Sequence, residues 1–135
     1  MQLKNLATGV ALPLPDDLLW TDEHAWTPAV ASMSYFVTGA LLVQSAVRQA
    51  GRPITLAGAI DMAWVTRAAV ATLHEWAAVP LGVSAGRFEL TLADSRAFAV
   101  AFRHGDTPVE AEPVTGFPAR SDNDFYRLTL RFLEL

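Results

Sequence analysis

The residues of this chain able to do chemistry are few and scattered. Its three histidines, His24, His74 and His104, are far apart in sequence. His24 follows Asp22 and Glu23, but neighbouring positions in a strand or turn point in different directions and seldom converge on one atom. The segment therefore reads as a polar turn between two aromatic anchors, Trp20 and Trp26. His74-Glu75 lacks the second histidine four residues on that a zinc helix needs, because Ala78 stands there. Asp122-Asn123-Asp124 has the start of a calcium loop, but Arg127 and Leu133 occupy the places of its glycine and its bidentate glutamate.

Nucleophilic catalysis fares no better. There is no Gly-x-Ser-x-Gly elbow and no cysteine. The glycines, among them Gly39, Gly51, Gly58, Gly82, Gly86 and Gly105, punctuate turns and do not cluster into a phosphate cradle. Asp94, Asp106, Glu110 and Glu112 offer carboxylates, yet nothing pairs two of them across a scissile bond. Glu110 and Glu112 fall on one strand face and repel unless a partner separates them. The chain reads as a non-enzyme with no catalytic, metal or cofactor residues.

The elements that would position such residues are clearer. Ile54 and Leu56 alternate with Thr55 and Ala57, a half-buried strand closed by Gly58. Val65, Ala69, Leu73 and Trp76 then recur at helical steps, which predicts one helix over about 61–79, with Asp61 as its cap and Pro80 and Gly82 as its stop. Phe88, Leu90 and Leu92 alternate, Ala93-Asp94-Ser95-Arg96 turns, and Phe98, Val100 and Phe102 return on the same side. Two further strands are expected within 29–50, one over 109–114 and a last one carrying Tyr126, Leu128, Leu130 and Phe132. Together these predict an α+β fold, mostly antiparallel sheet and sandwich-like, with the helix packed on it.

At 135 residues the chain is one domain in length, expected as a single unit over 18–135 preceded by an extended arm, 1–17, in which Leu12-Pro13-Leu14-Pro15 resists sheet pairing. A hydrophobic share of 52% against 18% charged suggests that part of the apolar surface is buried against other subunits. The net charge of −4, with Lys and Arg dispersed, excludes a nucleic-acid footprint. The first fifteen residues do not read as a signal peptide, and no apolar run is long enough to span a membrane.

The run GRPITLAG, the Trp-bearing helix and FELTLADSRAFAVAFRHGDTPVEAEPV resemble a family of small tail-tip or baseplate proteins of tailed bacteriophages, of the siphophage kind. The resemblance covers roughly 18–135. It departs at Ser95, where the family pattern prefers glycine. It implies a structural virion component linking the tail tube to the distal hub, assembled in the host cytoplasm and forming a ring or a hub-bound oligomer. A receptor- or glycan-binding module of a tail is the alternative. Candidate contact residues are Leu12, Pro13, Leu14 and Pro15 of the arm, the alanine face Ala97, Ala99 and Ala101, the anchors Trp20 and Trp26, and Phe117 in the 115–124 loop.

Overall fold

A computed structural model describes residues 1–118 and 121–135. The architecture is α+β and mostly antiparallel, as the alternation and the single helical stretch predict. Its organising element is the last strand, β11 (Phe125–Glu134), numbered in chain order. Leu128, Leu130 and Phe132 on one of its faces are fully buried. β10 (Val109–Pro113) and then β9 (Ala97–Phe102) pair along one edge of β11; β7 (Trp64–Thr66) and then β6 (Pro53–Ala57) pair along the other. Beyond β9 the sheet continues through β8 (Phe88–Thr91) to β1 (Gln2–Asn5) and β2 (Ala11–Pro13), and beyond β6 it ends at β3 (Leu19–Trp20).

The expected free arm is corrected here. Residues 2–5 pair with β8 on one side and with β2 on the other, and Leu3 is fully buried. Leu14 and Leu18 enter the same core. Polar groups fasten the segment as well. The Met1 ammonium meets the Asp16 carboxylate, the Ala63 N–H donates to Asp17 at 3.0 Å, and Asn5 Oδ1 accepts from Ala7 and Thr8 in the turn. The prolines do no harm because Pro13 lies on the outermost strand, where a missing N–H removes no bond from the interior of the sheet.

The helix is shorter than its periodicity suggested. α1 spans Arg67–Ala77 and is capped by Thr66, whose hydroxyl accepts from the Ala69 N–H at 3.3 Å. Asp61 does not cap it: Asp61 and Ala63 both take left-handed backbone, and residues 64–66 are strand. Val65 is therefore buried from a strand, and the buried helical positions are Val70, Leu73 and Ala77, with Ala69 and Trp76 at the margin. The expected core partner Leu73 is retained. Trp76 packs on Phe88, Phe88 on Phe102 and Phe102 on Phe132, at 5.5, 5.1 and 4.9 Å between centroids, so one aromatic chain ties the helix to three strands. His104 Nε2 lies 2.7 Å from the Ala77 carbonyl oxygen, one of the acceptors a helix leaves open at its C-terminus.

The β8–β9 turn uses Ser95 in place of glycine and holds it at φ 70°. Gly58 has a packing reason to be glycine, since a Cβ there would sit 2.6 Å from the Ala63 Cβ.

Candidate assembly surface

Two strands stay outside this sheet. Among the described residues, β4 (Ala29–Tyr35) and β5 (Leu41–Val47) pair only with each other, over the full register from Ala29 opposite Val47 to Tyr35 opposite Leu41. The sequence accounts for the hairpin itself: two alternating runs join at Thr38-Gly39, and Gly39 takes φ 85° in the turn closed by Phe36 and Ala40. It does not account for a lone hairpin persisting in water, since a two-stranded ribbon without a third layer is marginal.

Directly opposed residues of an antiparallel pair share a face. Ala29, Ala31, Met33 and Tyr35 of β4 therefore lie with Val47, Ser45, Val43 and Leu41 of β5 on one side, which is apolar except for Ser45. The other side mixes Ser32, Ser34 and Gln44 with Val30, Leu42 and Ala46. The apolar side is bare. Met33 is 70% exposed, Tyr35 76% and Val43 52%, and the tip adds exposed Phe36 and Val37. Residues 25–47 contain no charged side chain, although the chain carries 24 charges in all. Natural edge strands are guarded by Lys, Pro or inward charge. These two strands have none.

The foot of the hairpin is fixed. The Arg52 guanidinium stacks over Trp20 at 4.5 Å and faces Trp26 at 5.9 Å, while its Nη2 donates to the Glu23 carbonyl at 2.8 Å. Arg96 reaches Trp20 at 5.5 Å and pairs with Glu23 at 2.8 Å. Phe98 meets the Trp20 ring edge-on at 5.4 Å. Asp22 is committed to structure: it accepts from Trp20 Nε1 at 2.9 Å, from the Thr55 N–H at 2.8 Å and from the Thr55 hydroxyl at 2.9 Å. The two aromatic anchors and the polar turn thus brace the point from which the hairpin projects.

The other expected contact residues divide. Leu14 and Ala101 are buried in the chain's own core and leave the candidate set. Ala97, Ala99 and Pro13 are exposed, Phe117 is exposed in its loop, and Leu12, Pro15, Trp20 and Trp26 are half-buried. Leu12 and Pro13 line a groove of about 440 Å³ with Trp64, Val65, Ala68 and Thr72, between the outermost strand and the helix. The structure does not gather the ten residues into one patch.

The residues weighed for chemistry stay apart or serve the fold. His74 is exposed on the helix and His24 is exposed, 3.8 Å from Glu23. Glu110 and Glu112 lie on one exposed face, but each meets its own arginine: Arg131 pairs with Glu110 at 2.7 Å and Arg127 with Glu112. Asp94 belongs to its turn. The Arg96 N–H donates to it at 3.1 Å, and with the Arg96 guanidinium at 2.6 Å this holds the Asp94 carboxyl below its ordinary value. Among the described residues no group of three or more His, Cys, Asp or Glu is placed to hold a metal ion, and no helix is long and apolar enough to cross a membrane. Comparison of the chain with protein-family models, curated proteins and solved structures finds no match.

The hairpin's apolar face is what the sequence reading missed. The signal was present in the 23 uncharged residues from Ala25 to Val47, because an ordinary solvated hairpin carries charge on its outer face.

Proposed function

We propose that this chain is a small structural component of a phage tail tip or baseplate, held between tail tube and distal hub by protein–protein contacts in which the β4–β5 hairpin is the assembly arm. The observation that carries the assembly role is the bare, charge-free hairpin face: Met33, Tyr35, Leu41, Val43 and Val47 are all exposed. Fully burying one such side chain stabilises by about 1.5–3 kcal/mol, so docking this face supplies both affinity and the missing layer over the ribbon. The resemblance of residues 18–135 to tail-tip and baseplate proteins supports the setting, and with it a virion location after assembly in the host cytoplasm. A sugar-binding role finds less support, because the Trp20 ring is already engaged by Arg52, Arg96 and Phe98.

The test replaces Met33 and Val43, which lie opposite one another, by Asp. The doubly substituted chain keeps the melting temperature of the parent but no longer enters the particles, and gold-labelled antibody against the parent marks the distal end of the tail. Normal incorporation of the variant removes the hairpin from the account. Absence of label from tails removes the tail setting.

A further inference from the structure

We propose that the cleft in front of Trp64 receives a lysine side chain from a different protein. The inference rests on the assembly reading above and adds a contact that the hairpin does not make.

The cleft holds about 120 Å³ and lies between the β6–β7 loop and the face of β11 opposite its buried Leu128 and Leu130. Trp64, Arg127 and Glu112 stand directly across from one another on β7, β11 and β10, so their side chains share that face. Arg127 and Glu112 pair with each other and their charges cancel. Asp61 also lines the cleft and is exposed, with no hydrogen-bond or ion-pair partner among the described residues. One negative charge is therefore left uncompensated. Beside it are the Trp64 ring, 45% exposed, and an apolar side made by Ile60, Pro113 and Val114.

These features match an alkylammonium group. The carboxylate answers its charge, the ring face attracts the cation, and the apolar side covers the methylene stem. A guanidinium fits less well, because its planar fork wants a bidentate carboxylate and Glu112 is already taken by Arg127. The site is also held ready. Asp61 and Ala63 take left-handed backbone at φ 62° and 58°, and Ala63 is fully buried beside Gly58 with its N–H on Asp17. Trp64 is braced by Phe125 at 5.9 Å. Carboxylate and ring are thus placed before a ligand arrives, which lowers the ordering cost of binding. The chain's single lysine, Lys4, is half-buried on β1 between two other strands, so a second copy does not supply the side chain.

Trypsin leaves Asp61 in a peptide, residues 49–67, in which it is the single carboxylate side chain, since Arg52 precedes a proline and is not cleaved. A carbodiimide joins a carboxylate to an amine without a spacer. Applied to assembled particles, it is expected to link this peptide to a lysine of another protein, and Asp61→Asn removes the link. In the isolated chain the probe is n-butylammonium chloride. Backbone amide signals of residues 60–64 shift saturably, with a dissociation constant on the order of 10 mM. Added salt weakens the binding, and neutral n-butanol at the same concentrations has little effect. Asp61→Asn weakens it about fivefold and Trp64→Leu about two- to fivefold, the range open to exposed contacts of these kinds. Equal shifts with n-butanol, no saturable shift up to about 100 mM, or particles without a link at Asp61 overturn the inference. If the link is missing while Met33→Asp/Val43→Asp still blocks entry into particles, the assembly reading stands without this contact. If that variant enters normally, the hairpin reading falls, and a link at Asp61 still supports the lysine contact.

Discussion

Replacing Leu3 by Ala separates the fold described above from a domain with a loose N-terminal arm. Leu3 is 0% exposed, stands opposite Leu12 on one side and Leu90 on the other, and belongs to the same buried cluster as Phe88 and Val100. Because strands flank it on both sides, the backbone has little freedom to collapse into the space left by the lost side chain. Buried leucine-to-alanine changes cost about 2–5 kcal/mol, the larger values where the site cannot relax. Against a typical total of about 5–15 kcal/mol this is a large fraction. Urea unfolding of parent and variant, with equal slopes, should show the midpoint falling accordingly. Deleting residues 1–15 goes further, since it removes Leu3 and Leu14 and leaves the β8 edge unpaired; that chain should fail to give a cooperative transition. A Leu3→Ala change within about 0.5 kcal/mol of the parent, the range of ordinary surface substitutions, would refute the placement of β1 in the sheet.

Other expectations follow from single contacts. Ser95→Gly relieves a left-handed backbone worth about 1–2 kcal/mol while adding about 0.5–1 kcal/mol of glycine flexibility, so the melting temperature should rise slightly; a fall would mean that the serine side chain contributes more than its strain costs. Gly58→Ala should lower stability, as its Cβ has to displace the fully buried Ala63; an unchanged thermal transition would contradict that close approach. The depressed carboxyl of Asp94 contributes stability above its unfolded value near pH 4, and that contribution is lost as the pH falls through the lower folded value. Parent and Asp94→Asn should therefore differ most at neutral pH and converge in acid, and a difference constant down to pH 2 would rule the ion out. Arg52→Ala removes the cation between Trp20 and Trp26, and should raise the motion of the hairpin relative to the sheet, visible as lower backbone order parameters over 29–47 with the core unchanged.

Where the sequence was legible, short-range periodicity carried the information. Ile54 and Leu56, the β8–β9 pair, and Leu128 to Phe132 all announce a buried strand face by alternation, and Leu73 announces the helix. β1 was illegible because Gln2–Asn5 is four residues long, with one apolar side chain. What makes it a strand is its pairing with Phe88–Thr91 far along the chain. The helix start was misplaced because Val65 keeps the helical spacing while its backbone is strand, a substitution of one buried apolar position for another that a pattern of side chains does not distinguish. The hairpin was legible as two strands, but alternation says only that a strand has two faces. It does not say that nothing covers the apolar one, and only the missing charge over 25–47 pointed that way.

Amide hydrogen exchange over residues 29–47 tests the central claim most directly, measured in the dilute chain and again in the assembled particle. A bare two-stranded ribbon has little to hold its hydrogen bonds closed, so the account predicts rapid exchange in the dilute chain beside a protected β11, and strong protection of the same amides after assembly. Equal exchange in the two states, whether fast in both or slow in both, would contradict the hairpin as the arm by which this protein is built into a larger structure.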